Sequence, residues 1–306
     1  MMAISFRGVF PILPTPFLPD ESIDVASCGT MVRRMVEFGV DGVTILGVLG
    51  EANRLTDSER AEVIEACVEA AAGNVPVVVG ASHSGTKASC ELAKGAIVKG
   101  AGAVMVTPHA EAVPSDDKVR GHICAIADAT DAPIVLQDHP GSTGVHMPLD
   151  LVLSMVAEVP TIACIKQEAL PSPPRVAALK AKLDRPTPIL TGLGALYGAF
   201  ELAAGADGFM TGFAFPEVLA AMVEADADEA FNIHHQYLPL IVFEGQPGVA
   251  IRKEIFRRRG LIAYNTVRAP GAGLSQTAAE QLDHLLTQTF TTTDIQQRIT
   301  PGTANR

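Results

Sequence analysis

The sequence predicts an α/β fold, a (β/α)8 barrel of parallel strands with a helical extension at its C-terminal end. Three observations predict it. Short runs rich in Val and Ile alternate with longer stretches of helical period. The short runs are apolar throughout, as parallel strands buried on both faces are, rather than apolar at every second residue. A glycine-led unit also recurs: Gly39-Val40-Asp41-Gly42-Val43-Thr44-Ile45, Gly100-Ala101-Gly102-Ala103-Val104-Met105-Val106 and Gly205-Ala206-Asp207-Gly208-Phe209-Met210-Thr211. Each reads as a helix C-cap glycine, a tight turn and a buried strand.

Taken in order, the strands fall at residues 8–12, 42–46, 75–79, 103–106, 133–136, 161–165, 188–190 and 208–210. Helical stretches between them include residues 26–38, 57–72, 86–99 and 149–156. Thr56-Asp57-Ser58-Glu59 offers a capping box ahead of an apolar face at Ala61, Val63, Ile64, Cys67 and Val68. Eight such units suit a TIM barrel. A doubly wound open sheet is the alternative, but it calls for a glycine-rich turn after the first strand. That turn reads Leu13-Pro14-Thr15-Pro16-Phe17. Past about residue 225 the strands stop, and residues 225–238, 249–259 and 275–289 read as helices. The division is therefore a barrel over 1–225 and a helical extension over 226–306, forming one domain unit. The polar end, 293–306, is expected to fray.

Composition narrows the function. Of 306 residues, 48% are apolar and 19% charged, which excludes wholesale disorder. The 34 acidic residues outnumber the 23 basic ones, for a net charge of −11. With no basic run, nucleic acid and anionic membranes are poor partners. A small anionic substrate needs only one or two local donors and stays open. No apolar stretch nears the roughly 20 residues of a membrane span, and Met1-Met2-Ala3-Ile4-Ser5-Phe6-Arg7 lacks a signal-peptide layout. The five cysteines (Cys28, Cys67, Cys90, Cys124 and Cys164) are scattered and never form a CxxC. They read as reduced, buried thiols in a cytoplasmic protein, not as zinc ligands.

In such a barrel the site lies at the C-terminal ends of the strands. Those ends supply Thr15, the loop Gly47-Val48-Leu49-Gly50-Glu51, His83, His109, Gln137-Asp138-His139, Lys166, Thr191-Gly192 and Thr211-Gly212. Of the eight lysines, Lys166 alone ends an apolar strand. Desolvation at a barrel mouth disfavours the charged form of an amine, and a neutral amine there attacks a ketone to form a Schiff base. The competing reading is a lysine that pairs with Glu168 or snorkels to solvent. The Gly47–Glu51 loop reads as a nest of backbone N–H groups for a carboxylate, or as an ordinary βα turn. Asp138 and His139 form an acid–base pair beside Gln137, with His109 a third ionisable candidate. Thr15 and Thr191 read as partners for substrate hydroxyls or as caps of their own turns. A metal site on His83, His109 and His139 matches no standard ligand spacing, so neither metal nor cofactor is expected. There is no P-loop, GxSxG elbow or HExxH.

Several of these segments resemble the dihydrodipicolinate synthase / N-acetylneuraminate lyase family. They are Gly8-Val9-Phe10-Pro11-Ile12-Leu13-Pro14-Thr15-Pro16-Phe17, the stretch 39–51 with its Gly47-x-x-Gly50-Glu51 loop, Val106-Thr107-Pro108, Ile165-Lys166-Gln167, and Val267-Arg268-x-Pro270. The resemblance spans nearly the whole chain, from about residue 7 to 290. It implies the barrel with its helical extension and a metal-independent class I lyase for a 2-oxo acid, assembled as a homotetramer or dimer. It also implies Lys166 as the nucleophile, with the backbone N–H groups of Val48 and Leu49 on the carboxylate, beside Gly47, Gly192 and Gly212. The chain departs from the family at four places. The tyrosine that shuttles protons falls at Gln137, which titrates nowhere near neutral pH. The loop hydroxyl falls at Val48. The tyrosine pair after the fourth strand becomes His109 and Ala110. The synthase's arginine for a second carboxylate falls at Ser142.

These departures point away from dihydrodipicolinate synthesis. They leave an aldolase or dehydratase acting on pyruvate or another 2-oxo acid, with His139 and His109 as replacement acid–base groups and Asp138 either orienting one of them or serving structurally, like the asparagine the family carries there. The rivals are a non-catalytic homologue that binds a 2-oxo or sugar acid, and a metal-dependent hydrolase on the same barrel.

Overall fold

In a computed structural model, which describes residues 4–290 and 294–301, eight parallel strands form one sheet in the order β1-β8-β7-β6-β5-β4-β3-β2. The strands are β1 (Gly8–Val9), β2 (Val43–Ile45), β3 (Val77–Gly80), β4 (Ala103–Val106), β5 (Ile134–Asp138), β6 (Ile162–Gln167), β7 (Ile189–Thr191) and β8 (Gly208–Phe209). Each lies where an apolar run predicts it. The chain just past β1 completes the ring. Ile12 bridges Thr44 in parallel, Thr44 N donates to Pro11 O at 2.9 Å and Leu13 N to Thr44 O at 2.8 Å.

Helices cover the sheet: α1 (Val25–Phe38), α2 (Asp57–Ala71), α3 (Thr86–Val98), α4 (Asp116–Thr130), α5 (Pro140–Thr143), α6 (Leu149–Glu158), α7 (Ser172–Lys182), α8 (Gly198–Ala203) and α9 (Pro216–Glu224). The capping box at α2 is present. Thr56 Oγ1 accepts from Glu59 N, and Glu59 Oε2 accepts from Thr56 N at 2.9 Å. Beyond the barrel lie α10 (Ala227–Glu244), α11 (Ala250–Arg258) and α12 (Gln276–Thr289), with α10 packed on α8, α9 and α12. Among the described residues no helix is long and apolar enough to cross a membrane.

Strand alternation splits the core into two layers. Phe10, Val78, Met105, Val135, Cys164 and Leu190 fill the barrel interior. Val104, Ile134, Leu136 and Ile165 face outward, into the layer shared with the helices. One irregularity matters for the site. Ile134 pairs with Ile162 but Val135 pairs with Cys164, so the register skips Ala163. From Cys164 onward the alternation then sends Lys166 inward.

The C-terminal stretch does not fray over 294–301, contrary to expectation; residue 293 and residues 302–306 lie outside the described residues. Ile299 is buried, and its N–H donates to Glu217 Oε1 at 3.0 Å. The same carboxylate pairs with the fully buried Arg259, which also donates to Ala214 O and, through Nε at 2.9 Å, to Ile295 O. The guanidinium lies 4.5 Å from the Phe38 ring centroid and 4.4 Å from that of Phe215. Arg259→Met strands Glu217 as an uncompensated buried charge, which costs about 3–5 kcal/mol. Urea denaturation is expected to show that loss; wild-type stability in the variant would refute the clasp.

Candidate active site

A cavity of about 520 Å³ opens at the C-terminal ends of the strands. One wall comes from β5, β6 and the turn after β7; the other comes from the segments after β8, β1 and β2. Gln137 and Lys166 pair directly across β5 and β6, and both point inward. Glu168, two residues past Lys166, shares that face because strand side chains alternate.

The Glu168 carboxylate is where the polar groups converge. Lys166 Nζ lies 3.0 Å from its Oε2. Gln137 Nε2 donates to the same oxygen at 2.7 Å. His139 Nδ1 lies 3.6 Å away and 2.8 Å from Ser142 Oγ. Leu193 N donates to Oε1 at 3.3 Å. Burial alone pushes the Glu168 carboxyl up, but Lys166, His139 and the Gln137 bond outweigh it and hold it below the usual carboxylate value. Burial lowers the His139 imidazole, against the pull of Glu168. Lys166 and Glu168 are 4% and 6% exposed. Stability does not account for such a pair, because apolar replacement of a buried ion pair is often neutral or stabilising. Functional sites do gather such groups.

The turn after β7 is shaped around this carboxylate. A Cβ on Gly192 would stand 2.1 Å from Glu168 Oε1, so only glycine admits the side chain there. Leu193, Gly194 and Ala195 follow with φ of 52°, 69° and 65°. This left-handed run is costly for Leu and Ala, and its first residue donates to Glu168.

The opposite wall carries Gly47, Val48, Leu49 and Gly212. Val48 and Leu49 open a short 3₁₀ turn (Val48–Gly50), where backbone N–H groups have no intrahelical acceptor. Glu51 turns away from the cavity. It pairs with Lys253 Nζ at 2.5 Å and accepts from Arg268 N at 3.1 Å. Lys253 is buried, 4.2 Å from the Phe17 ring centroid, and burial pulls its pKa down to about 8. The loop is thereby pinned to α11.

Four residues read as catalytic or substrate-binding stand elsewhere. Asp138 faces outward, where Arg175 holds its Oδ2 through Nη2 at 2.6 Å and Nε at 3.0 Å. Arg175 also reaches Met147 O at 2.7 Å. Asp138 therefore clamps the outer side of β5. His109 lines a separate cavity of about 740 Å³ beside the start of α4, so it does not join His139 at a metal or a substrate. Thr15 donates to Gly50 O at 2.6 Å, bracing the loop. Thr191 is buried on the outward face of β7, outside the cavity lining. Conversely, Tyr197 and Arg252 line the cavity, and neither carries a strand-end signal.

A sequence model of the dihydrodipicolinate synthetase family matches residues 5–289. The chain belongs to that family. A 4-hydroxy-tetrahydrodipicolinate synthase of Salinibacter ruber is 34% identical over 245 residues, 76% of this chain and 79% of that protein. An L-2-keto-3-deoxyarabonate dehydratase of Azospirillum brasilense is 32% identical over 274 residues, 86% of this chain and 88% of that protein. A dihydrodipicolinate synthase crystal structure from Rhodopseudomonas palustris superposes with a TM-score of 0.87 at 35% identity, over 92% of this chain and 97% of that one.

Behind Glu168 lies a second buried carboxyl, Glu201 on α8. Ser172 Oγ donates to its Oε1, and its Oε2 has no partner among the described residues. Burial pushes its pKa from 4.5 up to about 7, with Ser172 opposing and Glu168 reinforcing. Between these values the folded chain holds a proton that the unfolded chain releases. The contribution to stability is complete below about pH 4.5 and is lost as pH rises through about 7. The melting temperature of wild type relative to Glu201→Gln is expected to fall across that window; parallel curves would contradict the assignment.

Proposed function

We propose that the protein is a class I, metal-independent lyase that joins Lys166 to pyruvate or another 2-oxo acid. On this reading it is a divergent family member, not a dihydrodipicolinate synthase, in which Glu168 moves the protons that the family tyrosine moves elsewhere. The observation that carries the reading is the inward-facing Lys166–Glu168 pair, with its carboxylate also bonded to Gln137, in a cavity large enough for a small acid.

The chemistry follows from the contact. Lys166 hands a proton to Glu168 and the free amine adds to the C2 ketone, giving a carbinolamine. Glu168 returns the proton to the departing hydroxyl, water leaves, and an iminium remains beside a carboxylate. The iminium acidifies the C3 hydrogens, and Glu168 takes one to form an enamine. In a substrate with a C4 hydroxyl, the enamine expels that group as water with the proton Glu168 has just taken. Retro-aldol cleavage would instead begin with removal of the C4 hydroxyl proton. One carboxylate can serve either route, taking a proton in the first step and returning it in the second; we favour elimination. The likeness to the Azospirillum dehydratase supports this branch. Gln137 orients Glu168, and His139 stands beside the same carboxylate.

Borohydride reduction in the presence of pyruvate is expected to add one adduct, located at Lys166 by mass spectrometry and absent in Lys166→Ala. A panel of 2-oxo-3-deoxy acids then identifies the substrate and shows whether water or an aldehyde is released. Stabilisation by pyruvate without adduct or product would favour the non-catalytic binding homologue. Glu168→Gln keeps the shape of the side chain but cannot carry a proton, so turnover should drop by about 10²–10⁴-fold. Wild-type turnover in that variant would remove Glu168 from the mechanism.

A further inference from the structure

On the wall facing Lys166, one buried cation has no assigned work. Arg252 on α11 is 4% exposed and lines the cavity. Its Nε donates to Glu244 Oε1 at 2.6 Å, and Glu244 Oε2 is occupied by Ala214 N at 3.0 Å. Glu244 therefore grips the guanidinium from one side. Among the described residues its two terminal nitrogens meet no acceptor. Arg259, the other buried arginine among the described residues, differs in this respect: both of its terminal nitrogens reach acceptors.

The position of Arg252 is tied to the Gly47–Glu51 loop at two points. The adjacent Lys253 holds Glu51. The missing side chain of Gly212 leaves room in which Leu49 and Arg252 meet, since a Cβ there would stand 2.3 Å from Leu49 Cδ1 and 2.9 Å from Arg252 Cζ. The free fork of the guanidinium thus shares a wall with the N–H groups of Val48 and Leu49. Planar, two-pronged donation is the geometry that suits a carboxylate.

We propose that Arg252 binds the carboxylate adjacent to the reacting ketone, sharing it with the Val48 and Leu49 amides. It thereby supplies a charged contact on the loop's side of the cavity, where Val48 offers no hydroxyl. This rests on the Schiff-base reading, in which the ketone stands at Lys166 and the carboxylate points across the cavity.

The test compares two ketones that differ in the carboxylate: pyruvate and hydroxyacetone. In Arg252→Gln, the pyruvate concentration giving half-maximal borohydride trapping is expected to rise about 10- to 100-fold, the worth of charge-assisted hydrogen bonds. Trapping of hydroxyacetone stays unchanged. If Arg252→Gln does not fold, Arg252→Lys keeps a cation beside Glu244 and carries the measurement, with a several-fold rise for pyruvate alone. Equal losses for both ketones, or none for pyruvate, would overturn the assignment. Calorimetry of pyruvate binding to Lys166→Met, with and without the Arg252 change, separates the two readings. Arg252-dependent binding there alongside failed trapping in the wild type sinks the nucleophile and spares the anchor. Arg252-independent binding there sinks the anchor.

Discussion

Glu168 is a carboxylate taken almost wholly out of water, and its charge has to be matched where it sits. Lys166, Gln137, His139 and Leu193 surround it. An unmatched buried charge costs several kcal/mol, so none of these groups is free to turn elsewhere without loss. The ends of β5, β6 and β7 are therefore set relative to one another by a single side chain. The sharp left-handed turn at Leu193–Ala195 and the bare backbone of Gly192 are local concessions to it. A site held this way is pre-organised on strands and needs little movement to begin work.

The inner groups are backed by ion pairs on the outside of the barrel. Arg175 joins Asp138 and the Met147 carbonyl and touches Gln167 at 3.3 Å, fastening the outer faces of β5 and β6 behind Gln137 and Lys166. Arg259, just past α11, ties the 294–301 segment to Glu217 on α9. Lys253 ties Glu51 to α11. Each clamp uses a long cation to satisfy backbone carbonyls or a carboxylate that a helix–strand junction leaves unpaired. The helical extension is therefore more than a cover. Through Lys253 and Arg252 it sets the loop and one wall of the cavity.

Much of this was legible in the sequence, for physical reasons. Doubly buried strands must be apolar along their whole length, so all eight stood out, and a lysine closing one of them was conspicuous. Period-two alternation was available too, and applying it across Gln137 and Asp138 would have turned Asp138 outward. The same rule places Glu168 beside Lys166, although the carboxylate read as a competitor for the amine rather than its partner. His109 sits at a strand end as the barrel rule requires, yet the loop after β4 carries it into a different cavity. Arg252 had no local signal at all. It lies about 40 residues past the last strand, and only the packing of α11 against the Gly47–Glu51 loop brings it to the cavity.

On the Schiff-base reading proposed above, a carboxylate that takes over from a phenol alters the proton inventory of the site. A tyrosine near its usual pKa of about 10 rests protonated and neutral beside the lysine. Glu168, held below the ordinary carboxylate value, rests ionised beside it. In the proposed reaction one proton passing from Lys166 to Glu168 yields the nucleophile and the acid together. On the same reading, once the imine has formed the carboxylate would face an iminium, stabilise it by charge and take a proton from the next carbon. A glutamine at position 137 suits this arrangement better than a second acid would. It donates to the carboxylate without competing for the proton, and it adds no charge to the cavity.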